Sequence, residues 1–567
     1  MKPIEAHSTS KIKAKVTREE QAAHELDHTD FSPGTRVVLV VFFLAVMLSV
    51  PLAQFCAALR QPERITQLTS GLRALVPDWA RVKAAKGVVN TMNLLPPSSQ
   101  IKKVEDDWEQ NSVVGETILP PMQSFLLTLG QGNEKAYLGR EGWLYYRADL
   151  DYVTGRGFLD PRVLKRRATT GGGLKAPQPD PIQGILHFRD QLAARGITLI
   201  VMPMPVKPSI YPEFFSNRYT GSSQVVQNPS FDDFKRQLSQ AGVAVFDPAA
   251  LLVEAKARTP GQPLYLKTDT HWTPPAMEMT AATLASFARK TVSALPALQA
   301  GRFTTLEKSV EALGDVALMF KLPAKQRLFP DEQVRVREVL EGNRYWRPAV
   351  DAEVLFLGDS FANIFSLEPM GWGKAAGFVE HLSLALGLPV DALCRNDAGS
   401  YATREMLAKE LQRGQDRLAG KKLVIWEFAE RELACGDWKL LPMTLGEKRD
   451  VGMYVPAAGK TVEVRGVVRE ASPAPRPGSV PYKDHIVMVH LAEIESKDDP
   501  AAVDKEAVVF IWSMRDNVST AASRYRPGDV VNLRLRPWAD VSSKYEAINR
   551  SELEDPEILL AEPAWGE

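Results

Sequence analysis

The sequence predicts an α/β protein: a mainly parallel sheet flanked by helices, preceded by one transmembrane helix and followed by a small all-β domain. Three observations carry this reading. From Val37 to Leu59 there is no charged residue. Further on, up to about Leu433, short apolar runs alternate with amphipathic stretches, as when strands buried on both faces are joined by covering helices. After about Asp450 the texture changes to short strand-like runs separated by turn-rich spacers.

A chain of 567 residues exceeds one ordinary core and predicts two or three domains. Its 69 Lys and Arg balance 69 Asp and Glu. There is no basic excess to attract a nucleic acid and no acidic excess to attract a basic partner. The apolar run "VVLVVFFLAVMLSVPLAQF" is long enough to cross a bilayer as a helix. A polar tail precedes it and no clean A-x-A site comes after it, which argues against a cleaved signal peptide. Phe55 before Cys56 argues against a lipoprotein site, and the length and purity of the run argue against a core helix. Residues 1–36 therefore read as a cytoplasmic polar tail, 37–59 as a transmembrane signal anchor and 60–125 as a helical stalk. Arg18 and Arg36 precede the anchor and Arg60, Arg64 and Arg73 come after it, so nearby charge does not set the direction of insertion. The large C-terminal part is expected outside the cytoplasm, because a short tail joined to an uncleaved anchor commonly exports the rest of the chain. In an oxidising compartment Cys394 and Cys435 are a candidate disulfide, with two unconnected thiols as the alternative.

One motif in the tail is a decoy. "HELDH", His24 to His28, matches the zinc-protease pattern in which two histidines grip a metal while Glu25 acts as base. It lies in a short polar tail with no third ligand and no fold to enclose it, so no metal site is expected there.

Beyond the stalk, "YLGREGWLYYRADLDYVTG" (Tyr137 to Gly155) is aromatic-rich and turn-punctuated and reads as the entry to a packed domain over residues 126–448. A Gly- and Pro-rich loop comes next, up to Gln183. "ILHFRDQLAARG" reads as a helix closed by Gly196, and "ITLIVMPMP" as a buried strand. "QLSQAGVAVFDPAALL" repeats helix, glycine, strand; "VLFLGDS" and "KKLVIWEFAERELA" supply two more strands. In residues 449–567, "TVEVRGVVREA", "HIVMVHLAEIE", "AVVFIWSMRD" and "DVVNLRLRPW" suggest an OB-like barrel or a short sandwich. Its Trp512, Trp538 and Tyr545 either stack on sugar rings or fill a core.

Functional groups of a parallel sheet gather beyond the carboxyl ends of its strands. Ser360 stands at such a position, in the Gly358-Asp359-Ser360 that ends the apolar run Val354–Leu357. A serine hydroxyl needs a base, and the base needs a group that holds its tautomer. Of eight histidines, His7, His24 and His28 precede the anchor, His187 and His381 lie on predicted helices, and His485 and His490 lie in the β region. His271 remains, in "TDTHWTPP", with Asp269 two residues before it. On a loop, D-x-H can turn both side chains to one side. The plain alternative is a loop histidine, a capping aspartate and, in Ser360, a helix cap.

"GREGWLYYRADLDY", "PMPVKPSIYPEFF", "TDTHW", "FLGDSFAN" and "VIWEFAERELA" succeed one another from Tyr137 to Leu433. In this the chain resembles the SGNH hydrolase-like domain of the alginate O-acetyltransferase AlgJ/AlgX family, bacterial proteins of exopolysaccharide acetylation in the periplasm. The D-T-H-W block precedes the G-D-S block, the reverse of ordinary serine esterases of this fold. The resemblance implies an SGNH hydrolase-like domain with Ser360 as nucleophile, His271 as general base and Asp269 as orienting carboxylate. It implies a periplasmic enzyme on the bacterial inner membrane that passes acetyl groups through an acetyl-serine to hydroxyls of a polysaccharide, alginate or another. No bound cofactor is implied, only an acetyl donor, with a multispanning membrane acyltransferase as the acetyl supplier. By fold analogy Gly399, with Asn396 nearby, joins the Ser360 N–H as an oxyanion donor. Lys207, Tyr211, Trp272, Tyr401 and Arg431 are candidates for holding the acceptor. Two other readings stay open: an esterase or deacetylase with the same three residues, and a non-catalytic scaffold that binds polysaccharide through its β domain.

Overall fold

A computed structural model describes residues 32–60, 112–169, 177–219, 225–447 and 452–567, apart from positions 324, 327, 397, 476, 478, 479, 481, 554, 556, 557 and 560. The HELDH motif and stalk residues 61–111 lie outside the described residues. The chain divides between Leu119 and Pro120 into two units. In the first, Pro33–Arg60 forms one helix of 28 residues. Its segment Pro33–Ala57, in which an 18-residue stretch has mean hydropathy 2.5, is long and apolar enough to cross a membrane. At about 1.5 Å per residue such a helix exceeds the ~30 Å hydrocarbon layer. The predicted anchor, residues 37–59, falls inside it. Val113–Thr128 forms a further helix, which contains the division between the units.

The second unit opens on an antiparallel hairpin, Ala136–Leu138 (β1) with Leu144–Tyr146 (β2). Thr198–Met204 (β3) and Ala244–Val245 (β4) begin the main sheet. A polar insertion then interrupts it: Phe303–Ala312 (β5) pairs antiparallel with Glu332–Glu341 (β6) over ten residue pairs, and Arg344–Tyr345 (β7) adds an edge. Val354–Gly358 (β8), Asp391–Cys394 (β9) and Leu423–Ala429 (β10) complete the sheet, whose order is β4-β3-β10-β8-β9 and whose pairings are all parallel. Every residue of β8 and β10 is buried. The period of two explains why: Phe356, Leu423 and Ile425 enter a core beneath the helices Pro274–Thr291 and Phe378–Leu386. Leu355, Leu357, Val424, Trp426 and Phe428 enter a second core beneath Pro181–Ala193, Phe231–Gln240 and Ala402–Gln412. This is the α/β architecture expected from the sequence.

The β region closes on itself. Val462–Ala471 (β11), His485–Glu495 (β12), Ala507–Arg515 (β13), Val518–Ser519 (β14), Val530–Pro537 (β15), Arg550–Ser551 (β16) and Ala564–Gly566 (β17) form one sheet. Its order runs β14-β13-β17-β15-β11-β12-β16, and β12 also pairs with β13, so β11, β12, β13, β17 and β15 make a small barrel rather than a sandwich. Val464, Val487, Val489, Val509, Leu533 and Leu535 belong to one of its two cores. Trp512, Trp538 and Tyr545 pack round Trp565 in the other, which gives these rings a structural role.

Candidate active site

The turn after β8 is tied down from three sides. Asp359 caps the short helix Ser360–Asn363: its Oδ1 accepts from the Phe361 N–H at 2.9 Å. Its Oδ2 accepts from the Ala429 N–H at 2.8 Å, and its own N–H donates to Glu427 Oε2 at 2.9 Å. The aspartate of G-D-S thus binds the turn to the end of β10. The cap is Asp359, which leaves the Ser360 hydroxyl free for other work. Among the described residues no partner takes the Ser360 backbone N–H.

The base arrives on a loop that is bridged at its ends. Leu266 N–H donates to His271 O at 3.0 Å and Thr273 N–H to Leu264 O at 2.9 Å. The inserted β5–β6 segment supplies two carboxylates that hold the loop between. Glu332 accepts from the Lys267 N–H at 2.9 Å and the Thr268 N–H at 2.7 Å; Asp315 accepts from the Thr270 N–H at 2.7 Å. Gly314 permits this closeness, since a β-carbon there would lie 2.3 Å from the Thr268 carbonyl carbon.

Ser360, His271 and Asp269 meet. Ser360 Oγ lies 2.8 Å from His271 Nε2, and His271 Nδ1 lies 2.6 Å from Asp269 Oδ1. All three are buried, with 6 %, 2 % and 1 % exposure. A carboxylate only accepts, so Nδ1 carries the proton and Nε2 is left to accept from the serine hydroxyl. Asp269 Oδ2 accepts from the Asp315 N–H and from Trp372 Nε1–H, each at 3.0 Å. Burial works to raise Asp269, but the imidazole's charge, its hydrogen bond and the backbone N–H groups of Asp315 and His271 outweigh it and hold the carboxyl below its usual range. For His271, burial works downward and the Asp269 carboxylate overcomes it, so the imidazole titrates above its ordinary value. Burial, then the Asp269 charge, pushes Asp315 up to about 6, an effect moderated by the 19 % of its side chain left in solvent. The donor atoms of Asp269, His271 and Asp315 lie within 4.8 Å of one another, as a metal cluster's would. Here each is engaged in a hydrogen bond with another or with Thr270, so a proton chain accounts for the group.

The other predicted site residues sort into two groups. Lys207, Tyr211 and Trp272 are internal braces. Lys207 Nζ donates to Leu144 O at 2.8 Å and to Lys267 O at 3.1 Å, and burial pulls it down to about 8. Tyr211 Oη accepts from the Leu264 N–H at 2.9 Å, and Trp272 Nε1–H donates to Phe361 O at 3.1 Å. All three are buried and brace the base loop and the turn beside it. Arg431 is held by Asp149 at 3.1 Å and lies over the Tyr146 ring. Tyr401 lines a cleft of about 600 Å³ with Arg395, Lys409, His485 and Arg550, where the α/β domain meets the barrel. Gly399 packs its backbone close to Asp359, and its carbonyl accepts from Trp426 Nε1–H at 3.0 Å. Asn396 Oδ1 accepts from Asn363 Nδ2 at 2.8 Å, which ties it to a residue three positions along from the nucleophile.

The disulfide expectation is corrected: Cys394 and Cys435 are both free, one buried and one exposed. Cys394 ends the edge strand β9, whereas Cys435 ends a helix that comes after β10, with β8 between them. Sequence reasoning missed Asp315, Glu332, Trp372 and Asn363. Asp315 and Glu332 lie within a polar insertion with no motif, and no local signal joins Trp372 to an aspartate 103 positions earlier.

Residues 136–430 match the family described as SGNH hydrolase-like domain, acetyltransferase AlgX. A probable alginate O-acetylase AlgJ of Azotobacter vinelandii is 27 % identical over 312 residues, covering 54 % of this chain and 71 % of that one. A namesake from Pseudomonas syringae pv. tomato is 28 % identical over 308 residues, covering 53 % and 70 %. Among solved structures, the O-acetyltransferase domain of Pseudomonas putida AlgJ is 23 % identical, covers 53 % of this chain and 92 % of that one, and gives a TM-score of 0.39. The matched segment is just over half of the chain and holds Asp269, His271 and Ser360, and with it the chain belongs to the family of AlgX-type SGNH hydrolase-like acetyltransferase domains.

Proposed function

We propose that this chain is a membrane-anchored O-acetyltransferase that works in the periplasm and moves acetyl groups through Ser360 onto hydroxyls of an alginate-like exopolysaccharide. The observation that carries the reading is the unbroken chain from Ser360 Oγ through His271 to Asp269 at the carboxyl end of a buried parallel strand. In the first step His271 Nε2 takes the Ser360 proton as Oγ attacks the carbonyl carbon of an acetyl donor. The oxyanion that forms is met by the Ser360 N–H, with Gly399 and Asn396 on the adjoining loop. His271 returns the proton to the departing donor group, leaving acetyl-serine. In the second step a sugar hydroxyl gives its proton to His271 and attacks the acetyl-serine; Ser360 leaves and is reprotonated. Asp269 steadies the imidazolium each time.

The names of the relatives support the substrate class, and the apolar helix supports the anchor. The acetyl group must come from outside the chain, and a multispanning membrane acyltransferase is the supplier in this proposal. The domains divide as residues 126–448 for transfer and 449–567 for the barrel. Its strand order β11-β12-β13-β17-β15, closed on β11 with β13 and β17 parallel, supports the OB-like reading.

The test uses the full chain in detergent with 4-nitrophenyl acetate and a panel of uronate and neutral oligosaccharides. Sugar that gains acetyl mass with wild type and not with Ser360→Ala is the expected result. Acetate release without any labelled sugar would replace the transferase by an esterase, and a folded, active Ser360→Ala protein would overturn both.

A further inference from the structure

The Thr270 hydroxyl sits between two groups that would use it differently. Its Oγ1 lies 2.6 Å from Asp315 Oδ2 and 3.1 Å from His271 Nδ1. A carboxylate only accepts, so the single hydroxyl proton is directed to Asp315 and a lone pair faces Nδ1. Nδ1 can then only donate, which agrees with its bond to Asp269 at 2.6 Å. We infer that Asp315 is a positioning residue for the acyl transfer proposed above: by claiming the Thr270 proton it joins Asp269 in holding His271 in the tautomer that can accept from Ser360. The inference rests on that reading for its catalytic meaning, and on the hydrogen-bond network for its structural content.

Asparagine at position 315 would reverse this arrangement. The Thr270 N–H donates to Asp315 Oδ1 at 2.7 Å, so an asparagine must keep its oxygen there and place its NH₂ at the Oδ2 position. That NH₂ donates to Thr270 Oγ1 and frees the hydroxyl proton from Asp315 to turn toward His271 Nδ1, in competition with the hold of Asp269. A donor aimed at Nδ1 favours the form protonated at Nε2, which meets Ser360 as a donor and cannot take its proton. The damage should therefore run through Thr270. Removing the hydroxyl with an isosteric valine should relieve it, whereas a purely structural Asp315 predicts that losing both polar groups is worse than losing one.

The experiment uses the full chain in detergent with ¹⁵N-labelled histidine, at a pH where His271 is neutral, and His271→Gln to identify its signals. Two-bond proton–nitrogen couplings report the tautomer, and 4-nitrophenyl acetate turnover reports kcat and KM. Wild type is expected as the Nδ1–H form. Asp315→Asn should show a mixture and lose roughly tenfold in kcat with KM unchanged. Asp315→Asn with Thr270→Val should return to Nδ1–H and recover most of kcat. An unchanged tautomer in Asp315→Asn, or a double variant no better than the single one, overturns the inference. If wild type shows no Ser360-dependent turnover, the transferase reading fails while the tautomer spectra still decide this one.

Discussion

Among the described residues two histidines contact serines, His271 and His485, and they differ in the group that meets the far ring nitrogen. In the α/β domain Ser360 Oγ meets His271 Nε2 at 2.8 Å, and the far nitrogen meets the Asp269 carboxylate. In the barrel Ser551 Oγ meets His485 Nε2 at 3.2 Å, and the far nitrogen meets the hydroxyl of Ser513 at 2.7 Å. Both histidines are buried to 2 % exposure. Burial, helped by the Arg395 charge, drives His485 down to about 3, whereas the Asp269 carboxylate reverses the same penalty at His271. A buried histidine beside a serine is therefore polar packing until a carboxylate stabilises the protonated state. His485 holds β12, β13 and β16 together; His271 can take up a proton.

The sharpest way to break this comparison is to remove the charge at Asp269 and keep its shape. Asp269→Asn should lower transfer by about 10³- to 10⁴-fold, because the amide no longer imposes the Nδ1–H form. A loss under tenfold in the acetyl-ester assay would mean that the carboxylate is not what separates the two histidines. A smaller, graded effect is expected from pH. His271 must be neutral to accept a proton and its titration is shifted upward, so turnover should fall about tenfold per unit of pH below a midpoint lying above 6.5. A pH–rate profile with its acid midpoint below 6.5 would contradict the assignment of the base. The smallest effect is at the barrel. His485→Gln should leave transfer within about twofold of wild type. His485 has a depressed folded-state pKa, so the stability linked to it is present above the unfolded value of 6.5 and is lost as pH falls toward about 3. The melting temperature of wild type should accordingly drop more steeply from about pH 7 to about pH 4.5 than that of the variant; parallel curves would show that His485 is not buried in neutral form.

Legibility tracked the range of the interaction. The alternation of apolar runs revealed β3, β8 and β10, because a strand buried on both faces announces itself locally. The same local signal placed Ser360 beyond a strand end, and close spacing singled out Asp269-x-His271, two residues that one loop can align. The β5–β6 insertion offered no such signal: residues 304–309 are exposed, so nothing apolar marks them as a strand. With that hairpin unseen, the carboxylates at its turn end, Asp315 and Glu332, were invisible too. Lys207, Tyr211 and Trp272 stand near motifs and are polar or aromatic, and only the fold reveals that each also hydrogen-bonds inward. The cysteine pair failed for a related reason, since sequence supplies the two thiols and only the fold puts one at a buried strand end and the other at an exposed helix end.

Gly314 carries a lesson for inheritance. Its lack of a side chain lets the insertion close against the backbone of Thr268 and Asp269, where a β-carbon would come within 2.4 Å of the Asp269 nitrogen. One methyl group at a position that takes no part in proton or acetyl transfer would push the base loop off its support. The set of mutations able to silence acetylation is thus wider than the reacting residues. A lineage could lose the modification through a single glycine-to-alanine change, and a survey of natural variants that inspects only serine, histidine and aspartate would count that chain as intact.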